Sequence, residues 1–244
     1  MNKWVKSTLI GIPSVLCLGG FGAYVWFWGA PVGINNYINK KSLQLVADSP
    51  EMLTYMGMID NTPLDRHSGK LADYTEAQWD KSVQKTKDLL EGLEKYKDKD
   101  LTEQERLSYD ITKWLFEDEI AGVDYRYSSY PLNQLSGPQV DLPSFLTDMH
   151  AIVSHKSAER YISRVREFGR VLNETHTNVQ IHAENGVVAP DFIIQKIVIG
   201  MESFIKGGVN ENPLVKTLPA RLDKVEKLSD EDKNEIVSKV ERCQ

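Results

Sequence analysis

Apolar residues along most of the chain recur at intervals of three and four, which is the spacing of one face of an α-helix. The clearest run lies between Ser157 and Glu184, where the stripe comprises Tyr161, Val165, Phe168, Leu172, Thr175 and Val179. This spacing predicts one long helix, and Gly186 is a suitable stop for it. Alternating strand patterns are nearly absent, and the best of them is a short run at residues 122–130. The pattern predicts an all-α fold, arranged as an antiparallel helical bundle or array with proline-rich connecting loops.

Capping residues mark where further helices begin. A Ser, Thr, Asp or Asn just before a periodic run satisfies the first free N–H groups of a helix, and a Glu or Gln three residues later completes a capping box. The patterns of this kind are Ser49 with Pro50 at the first helical position, Thr75 with Gln78, Thr102 with Glu105, and Ser229. The chain is therefore predicted to start helices near residues 50, 76, 103 and 230.

The apolar faces of these helices are expected to point inward. The two helices after Thr75 and Thr102 are joined by a short charged link, which predicts an antiparallel pair. Their inner faces would comprise Trp79, Val83, Leu90 and Leu93 in the first helix and Leu107, Ile111, Trp114 and Leu115 in the second. A helix opened by Pro190 would turn inward Ile194, Ile197, Val198, Met201 and Ile205.

The last helical pattern runs from Asp230 to about Arg242 and meets no stop signal before Gln244. Its apolar stripe comprises Ile236, Val237 and Val240. An amphipathic helix with such a stripe needs a surface to pack on. We expect either a partner outside the chain or a frayed terminal helix.

The first 38 residues are predicted to be a signal anchor. Their apolar stretch, residues 9–28, is about 20 residues long, which matches the thickness of a hydrocarbon core. Tryptophans at both ends suit the two membrane interfaces. We expect this stretch to cross the lipid bilayer of a bacterial inner membrane once and to hold the body outside the cytoplasm. The alternatives are export after cleavage as a signal peptide and lipidation at Cys17 as a lipoprotein.

Composition and motifs narrow the classes of function. The formal net charge is −6 and no cluster of Lys and Arg is present, which excludes nucleic acid as a partner. The five histidines lack the spacing of a zinc-peptidase HExxH motif, and we expect them to be solvated or capping residues. No nucleophile elbow, P-loop or dinucleotide fingerprint is found in the sequence. Residue chemistry alone assigns no catalytic, cofactor-binding or metal-binding residue.

The segment from Tyr130 to Leu146, YPLNQLSGPQVDLPSFL, interrupts the helical patterns and is called the connector below. Its three prolines fix backbone angles and remove N–H donors, so it cannot be helical throughout. On one interpretation it is a rigid link between helix pairs. On the other it lines a cleft and offers hydrogen bonds to an extended peptide. The residues expected to line that cleft are Tyr130, Asn133, Gln134 and Ser136.

The order of these features resembles the amino-terminal half of the bacterial family known as domain of unknown function 885. The features that carry the resemblance are the amino-terminal export signal or anchor, SPEMLTYMG near residue 50, the run from Leu101 to Asp110, PLNQLSGPQVDLP within the connector, the long helix around Tyr161, and Val188-x-x-Pro190. The resemblance covers roughly residues 45–240, and PLNQLSGPQ is its most specific part.

The resemblance implies an exported or membrane-bound, largely helical protein that is similar to zinc metallopeptidases. The metal site of the family is expected in a His-Glu-x-x-Pro-Gly-His motif of the carboxy-terminal half. That motif has no counterpart here, so zinc is implied only for the missing half and no cofactor or catalysis is expected of this chain.

Residues 39–244 are accordingly predicted to be one incomplete helical domain, left by a truncation, a split reading frame or a remnant gene. Its expected role is that of a scaffold half, whose partners are a carboxy-terminal half or a peptide substrate. The alternative is a stand-alone helical binding or scaffold module of the cell envelope.

Overall fold

A computed structural model describes residues 33–243, and every regular element in that range is helical, which confirms the all-α prediction. The α-helices in chain order are α1 (Ile34–Ala47), α2 (Pro50–Met56), α3 (Glu76–Glu94), α4 (Glu103–Ala121), α5 (Pro138–Ser144), α6 (His155–Glu184), α7 (Asp191–Lys206), α8 (Pro213–Lys216), α9 (Leu218–Leu222) and α10 (Asp230–Glu241). Single helical turns of other types occur at Gly122–Tyr125, Phe145–Met149 and Val209–Glu211. The run at residues 122–130, which could have been extended, instead begins with one of these turns.

The predicted capping residues begin their helices as expected. Ser49 caps α2 by accepting a hydrogen bond from the N–H of Met52, with Pro50 at the first position. Ser229 caps α10 in a capping box with Asp232. The glycine stop of α6 is also present, since Gly186 has a φ of +80° directly after the last turn.

The chain forms two compact units. Among the described residues, the first comprises residues 33–44 and 86–118. Its described core is a small cluster of buried side chains, which comprises Ile34, Tyr37, Leu93 and Tyr109. The hydroxyl of Tyr37 donates a 2.6 Å hydrogen bond to the carbonyl of Leu89, so this core has a polar fastening as well as apolar contacts.

The second unit comprises residues 45–85 and 119–243 and is built around α6. The stripe predicted for α6 faces its core, where Tyr161, Val165 and Thr175 are buried. Helix α10 packs against α6 and buries Ile236 and Val240 completely. The stripe that was expected to need a partner outside the chain therefore finds one within it.

Two predicted inner faces are wrong. In α4, Leu107, Ile111, Trp114 and Leu115 are 51%, 51%, 61% and 51% exposed. The opposite face of α4 holds the contacts instead: Tyr109 is buried, and Lys113 forms an ion pair with Glu94 at 2.7 Å. In α7 no residue is buried, because its predicted inner face borders open space and not a packed core.

No helix within residues 33–243 combines the length and apolar character required to cross a bilayer. The predicted span at residues 9–28 and the alternative lipid site at Cys17 lie outside the described residues. They stay predictions, as does the boundary between an anchor at residues 1–38 and a body at residues 39–244.

Candidate functional site

The connector, α6 and α7 enclose a groove in the second unit. Two pockets meet in it, one partly polar and one almost wholly apolar. Ile197 and Met201 of α7 line both pockets, so they form one continuous surface. The predicted inner face of α7 is therefore the wall of this groove.

The connector reaches the groove as a tight turn held by its own side chains. The Oδ1 atom of Asn133 accepts hydrogen bonds from the N–H groups of Leu135 at 2.8 Å and Ser136 at 2.9 Å. Its Nδ2 atom donates to the hydroxyl of Ser136 at 2.7 Å. Gly137 has a φ of +118°, which glycine adopts readily, and α5 begins at the next residue. The polar atoms of Asn133 and Ser136 thus stabilise the turn and do not face a ligand.

The polar pocket has a volume of about 290 Å³. Asn133 and Gln134 line it from the connector, opposite Lys196 and Phe204 of α7. The Oε1 atom of Gln134 is buried and has no hydrogen-bond partner. A buried acceptor without a partner is unfavourable by about 1–3 kcal/mol, so a ligand that brought an N–H group to this atom would remove that cost.

The apolar pocket has a volume of about 350 Å³. Tyr130, Pro131 and Leu132 form one side of it. The other sides come from α6, through Leu172 and Val179, and from α7. Apolar lining with a few polar groups at the edge is typical of small-molecule and side-chain sites.

The sequence-predicted cleft residues are therefore distributed unevenly. Asn133 and Gln134 line the polar pocket and Tyr130 lines the apolar one, whereas Ser136 lines neither. Whether these residues bind a ligand stays a prediction.

His182 separates the apolar pocket from a third pocket of about 400 Å³. Its Nδ1 atom lies 2.9 Å from the carbonyl oxygen of Ser129, which can only accept, so Nδ1 carries a proton and donates it to this oxygen. In the third pocket the guanidinium of Arg126 stacks 4.0 Å from the ring centroid of Trp79 and pairs with Asp80 at 2.8 Å. No sequence signal identified His182, because Ser129 lies 53 residues away.

A buried polar network connects residues 50–70 to α6. Arg164 is completely buried and donates to the carbonyl of Lys70 at 2.9 Å and the hydroxyl of Thr54 at 2.9 Å. A third hydrogen bond, also 2.9 Å long, reaches the Nδ1 atom of His150. Burial lowers the pKa of Arg164 to about 10, so the guanidinium remains charged at neutral pH.

His150 lies in the same network and is 3% exposed. Its Nε2 atom donates to the carbonyl of Ser157 at 3.0 Å, which leaves Nδ1 to accept from Arg164. Burial, together with the nearby guanidinium groups of Arg164 and Arg221, lowers the pKa of His150 to about 4. His67, His150 and His182 are all buried, so the prediction that the histidines are solvated or capping is wrong for these three.

Asp65 anchors a second part of the network. It accepts from the N–H of Asn61 at 2.8 Å and the hydroxyl of Ser68 at 2.8 Å, and it pairs with Arg160 of α6. Burial alone would raise the pKa of this carboxyl, but the hydrogen bonds and the arginine outweigh it and lower the pKa to about 2. The network stabilises the fold, since most of its donors and acceptors form hydrogen bonds with each other.

Zinc does not fit the described residues. In the part of the chain from residue 33 to residue 243, no three His, Cys, Asp or Glu side chains converge as a metal site. His150 is engaged by Arg164 and the carbonyl of Ser157, His182 by the carbonyl of Ser129, and His67 by the carboxylate of Asp60. We therefore derive no reaction step through a metal from this chain.

Comparisons with known proteins agree with this fold. The family described as "Bacterial protein of unknown function (DUF885)" matches residues 50–242. No curated protein matches the chain. Among solved structures, that of "the putative lipoprotein from Colwellia psychrerythraea" is similar, with a TM-score of 0.64 and 14% identity over 85% of this chain. The chain covers 38% of that protein, and at this identity the likeness shows the fold alone.

Proposed function

Because this chain belongs to the bacterial family DUF885, we propose that its helical body is a peptide-binding scaffold, the amino-terminal half of a peptidase-like protein of the cell envelope. In this proposal the helices form one wall of a substrate cleft as an antiparallel array. The metal centre and the catalytic residues belong to a carboxy-terminal half.

The groove between the connector and α7 is the observation that carries the proposal. An extended peptide presents backbone N–H groups along its edges and side chains alternately to its two faces. The buried, unpaired Oε1 of Gln134 can accept one such N–H. The neighbouring apolar pocket of about 350 Å³ can hold one aliphatic side chain. The two features lie next to each other, as an extended ligand requires.

Anchoring in the envelope is the second part of the proposal. Residues 9–28 would cross the inner membrane once and place the body on its outer side, or Cys17 would carry a lipid. The similar solved structure is described as that of a lipoprotein, which is consistent with the exported or lipoprotein alternative.

A peptide titration tests the groove. The probe is acetyl-Ala-Ala-Leu-Ala-Ala-amide with a fluorescent label, bound to the full chain. Replacing the central Leu with Lys should abolish binding, because a charged side chain would enter the apolar pocket unpaired. Methylating the backbone nitrogens in turn should identify one N–H whose loss weakens binding.

Gln134→Ala should weaken binding of the unmodified peptide by roughly fivefold to tenfold, the value of one hydrogen bond. Leu135→Ala is the matched control, since Leu135 is 79% exposed and lines neither pocket of the groove. Equal affinities for the Leu and Lys peptides, or equal effects of the two substitutions, would refute the proposal.

The absence of catalysis in this chain has its own test. Zinc content by mass spectrometry and hydrolysis of the same peptide are measured on the purified 1–244 chain. We expect neither stoichiometric zinc nor cleavage. Finding both together would show that the chain is an enzyme as it stands.

A stand-alone envelope module is the second candidate, and the burial of α10 favours it. Because Ile236 and Val240 pack into the second unit, this unit leaves no unpaired apolar stripe on its last helix. Under this alternative the chain binds its ligand unaided. Binding that appears only after a carboxy-terminal fragment is added would exclude it.

A further inference from the structure

The exposed face of α4 forms a regular pattern of apolar and acidic positions. Leu107, Ile111 and Trp114 are spaced by four and three, as alternate core positions of a coiled coil are, and Asp118 takes the next core position. Leu115 widens the apolar stripe on one side. From Glu103 to Asp118 this surface extends for roughly 24 Å along the helix at 1.5 Å per residue. We call it the α4 stripe.

An acidic row follows one edge of the α4 stripe. Glu103, Asp110 and Glu117 are exposed and recur every seven residues, so they occupy one position of successive heptads, directly beside the apolar core positions. Glu103 and Asp110 have no ion pair among the described residues, and Glu117 lies 3.6 Å from Lys113.

The basic residues of α4 leave most of this edge uncompensated, because each has its shortest contact away from the edge and only Glu117 of the acidic row lies within ion-pair distance of Lys113. Lys113 pairs with Glu94 at 2.7 Å. Arg106 donates to the carbonyl oxygen of Lys97 at 3.0 Å. The α4 stripe therefore presents an apolar core and a negative edge together.

From this pattern we propose that the α4 stripe docks an amphipathic helix of another protein, one with an apolar seam and Lys or Arg along the edge that meets the acidic row. Edge charges set partner choice and orientation when helices pair through a seam of this spacing. An acidic row of three residues selects a basic edge.

A second copy of this chain fits poorly in either orientation. Antiparallel pairing would set the acidic row against itself. Parallel pairing would set the acidic row against the opposite edge of the other copy, where Ser108 and Leu115 stand and no positive charge is available. An anionic membrane surface would likewise be repelled by the acidic row.

Two synthetic 21-residue peptides test the proposal. Both carry the same apolar heptad seam, one has Lys at both edges and the other has Glu, and each is labelled for fluorescence anisotropy. The full chain is held in zwitterionic nanodiscs, and empty nanodiscs give the background. We expect the Lys peptide to bind at least tenfold more tightly than the Glu peptide and to shift the emission of Trp114 to the blue, an effect absent in Trp114→Phe.

Two variants locate the binding surface. Asp110→Lys should weaken the Lys peptide roughly fivefold and strengthen the Glu peptide. Glu91→Lys, an exposed charge reversal on α3, should change neither affinity. Ile111→Gln should abolish binding of both peptides. Because Ile111 is exposed, the circular dichroism spectrum of this variant should match that of the unchanged chain.

Equal binding of the two peptides, or failure of the Lys peptide to bind, would overturn the proposal. So would self-association of the chain that Ile111→Gln abolishes, because the stripe would then be the contact between copies.

Discussion

His150 should make the stability of this fold sensitive to mild acid. Its pKa is lowered from 6.5 to about 4, because the ring is buried and its Nδ1 atom faces the guanidinium of Arg164. Protonating Nδ1 in the folded state would remove the acceptor of that hydrogen bond and bring two positive charges together. The unfolded chain has no such restriction and binds the proton at the ordinary pKa.

The sign and size of the effect follow from proton linkage. Between pH 6.5 and 4 the unfolded state binds more protons than the folded state, so the free energy of unfolding falls as the pH falls. With these two pKa values the loss between pH 7 and pH 5 is about 2 kcal/mol, and it reaches about 3 kcal/mol near pH 4. Asp65 lies close enough to oppose this shift, and its contribution is smaller than that of burial.

Urea denaturation followed by circular dichroism at pH 7, 6 and 5 measures this loss. His150→Gln removes the titrating group and keeps a side-chain amide that can donate toward Ser157. The unchanged chain should lose about 2 kcal/mol more between pH 7 and 5 than this variant. His176→Gln, at an exposed histidine, is the control and should follow the unchanged chain. Identical pH profiles for the chain and His150→Gln would refute the assignment of the buried neutral ring.

Three further predictions concern stability and the groove. The pKa of the Asp65 carboxyl is lowered to about 2, so its charged form stabilises the fold above pH 4. The free energy of unfolding should fall by about 2 kcal/mol as the pH falls from 4 toward 2, and in the same urea assay Asp65→Asn should lack this loss. Gly137→Ala places a Cβ 3.2 Å from a backbone carbonyl at a φ of +118°, so it should weaken peptide binding more than Leu135→Ala does. Gly92→Ala places a Cβ against the hydroxyl of Tyr37 and should lower the free energy of unfolding by about 1 kcal/mol, even though alanine favours a helix more than glycine does. Hydrogen exchange of the α3 amides measures this loss.

Local features of this fold could be read from the sequence. The caps at Ser49, Thr102 and Ser229 depend on residues within three positions of each other, so a single sequence contains all of their chemistry. The long stripe of α6 is equally local, since helical geometry alone aligns it. The connector was recognisable because three prolines and a glycine restrict its backbone.

The features that the sequence does not predict depend on residues far apart in the chain. Arg164 is completely buried, and its hydrogen bonds with Lys70, Thr54 and Pro50 span 94 to 114 residues, so nothing near it in sequence indicates burial. The sequence predicts the wrong buried face for α4, because periodicity shows which face of a helix is apolar and does not show which residues cover it. The position of Gln134 within the connector predicts that it lines a cleft. Only the folded turn shows that its side-chain oxygen has no hydrogen-bond partner.

The separation of these partners also has a consequence for the order of folding. Residues 50–70 are synthesised early, yet the guanidinium that gathers their backbone carbonyls belongs to residue 164 and follows roughly 100 residues later. During synthesis this early segment lacks its hydrogen bonds to Arg164 until α6 has been made. Its packing on α6 joins residues far apart in the chain, and contacts of this kind slow folding. A chain that completes its fold only after most of it has been made leaves the polar groups of this early segment open to water until α6 has been synthesised.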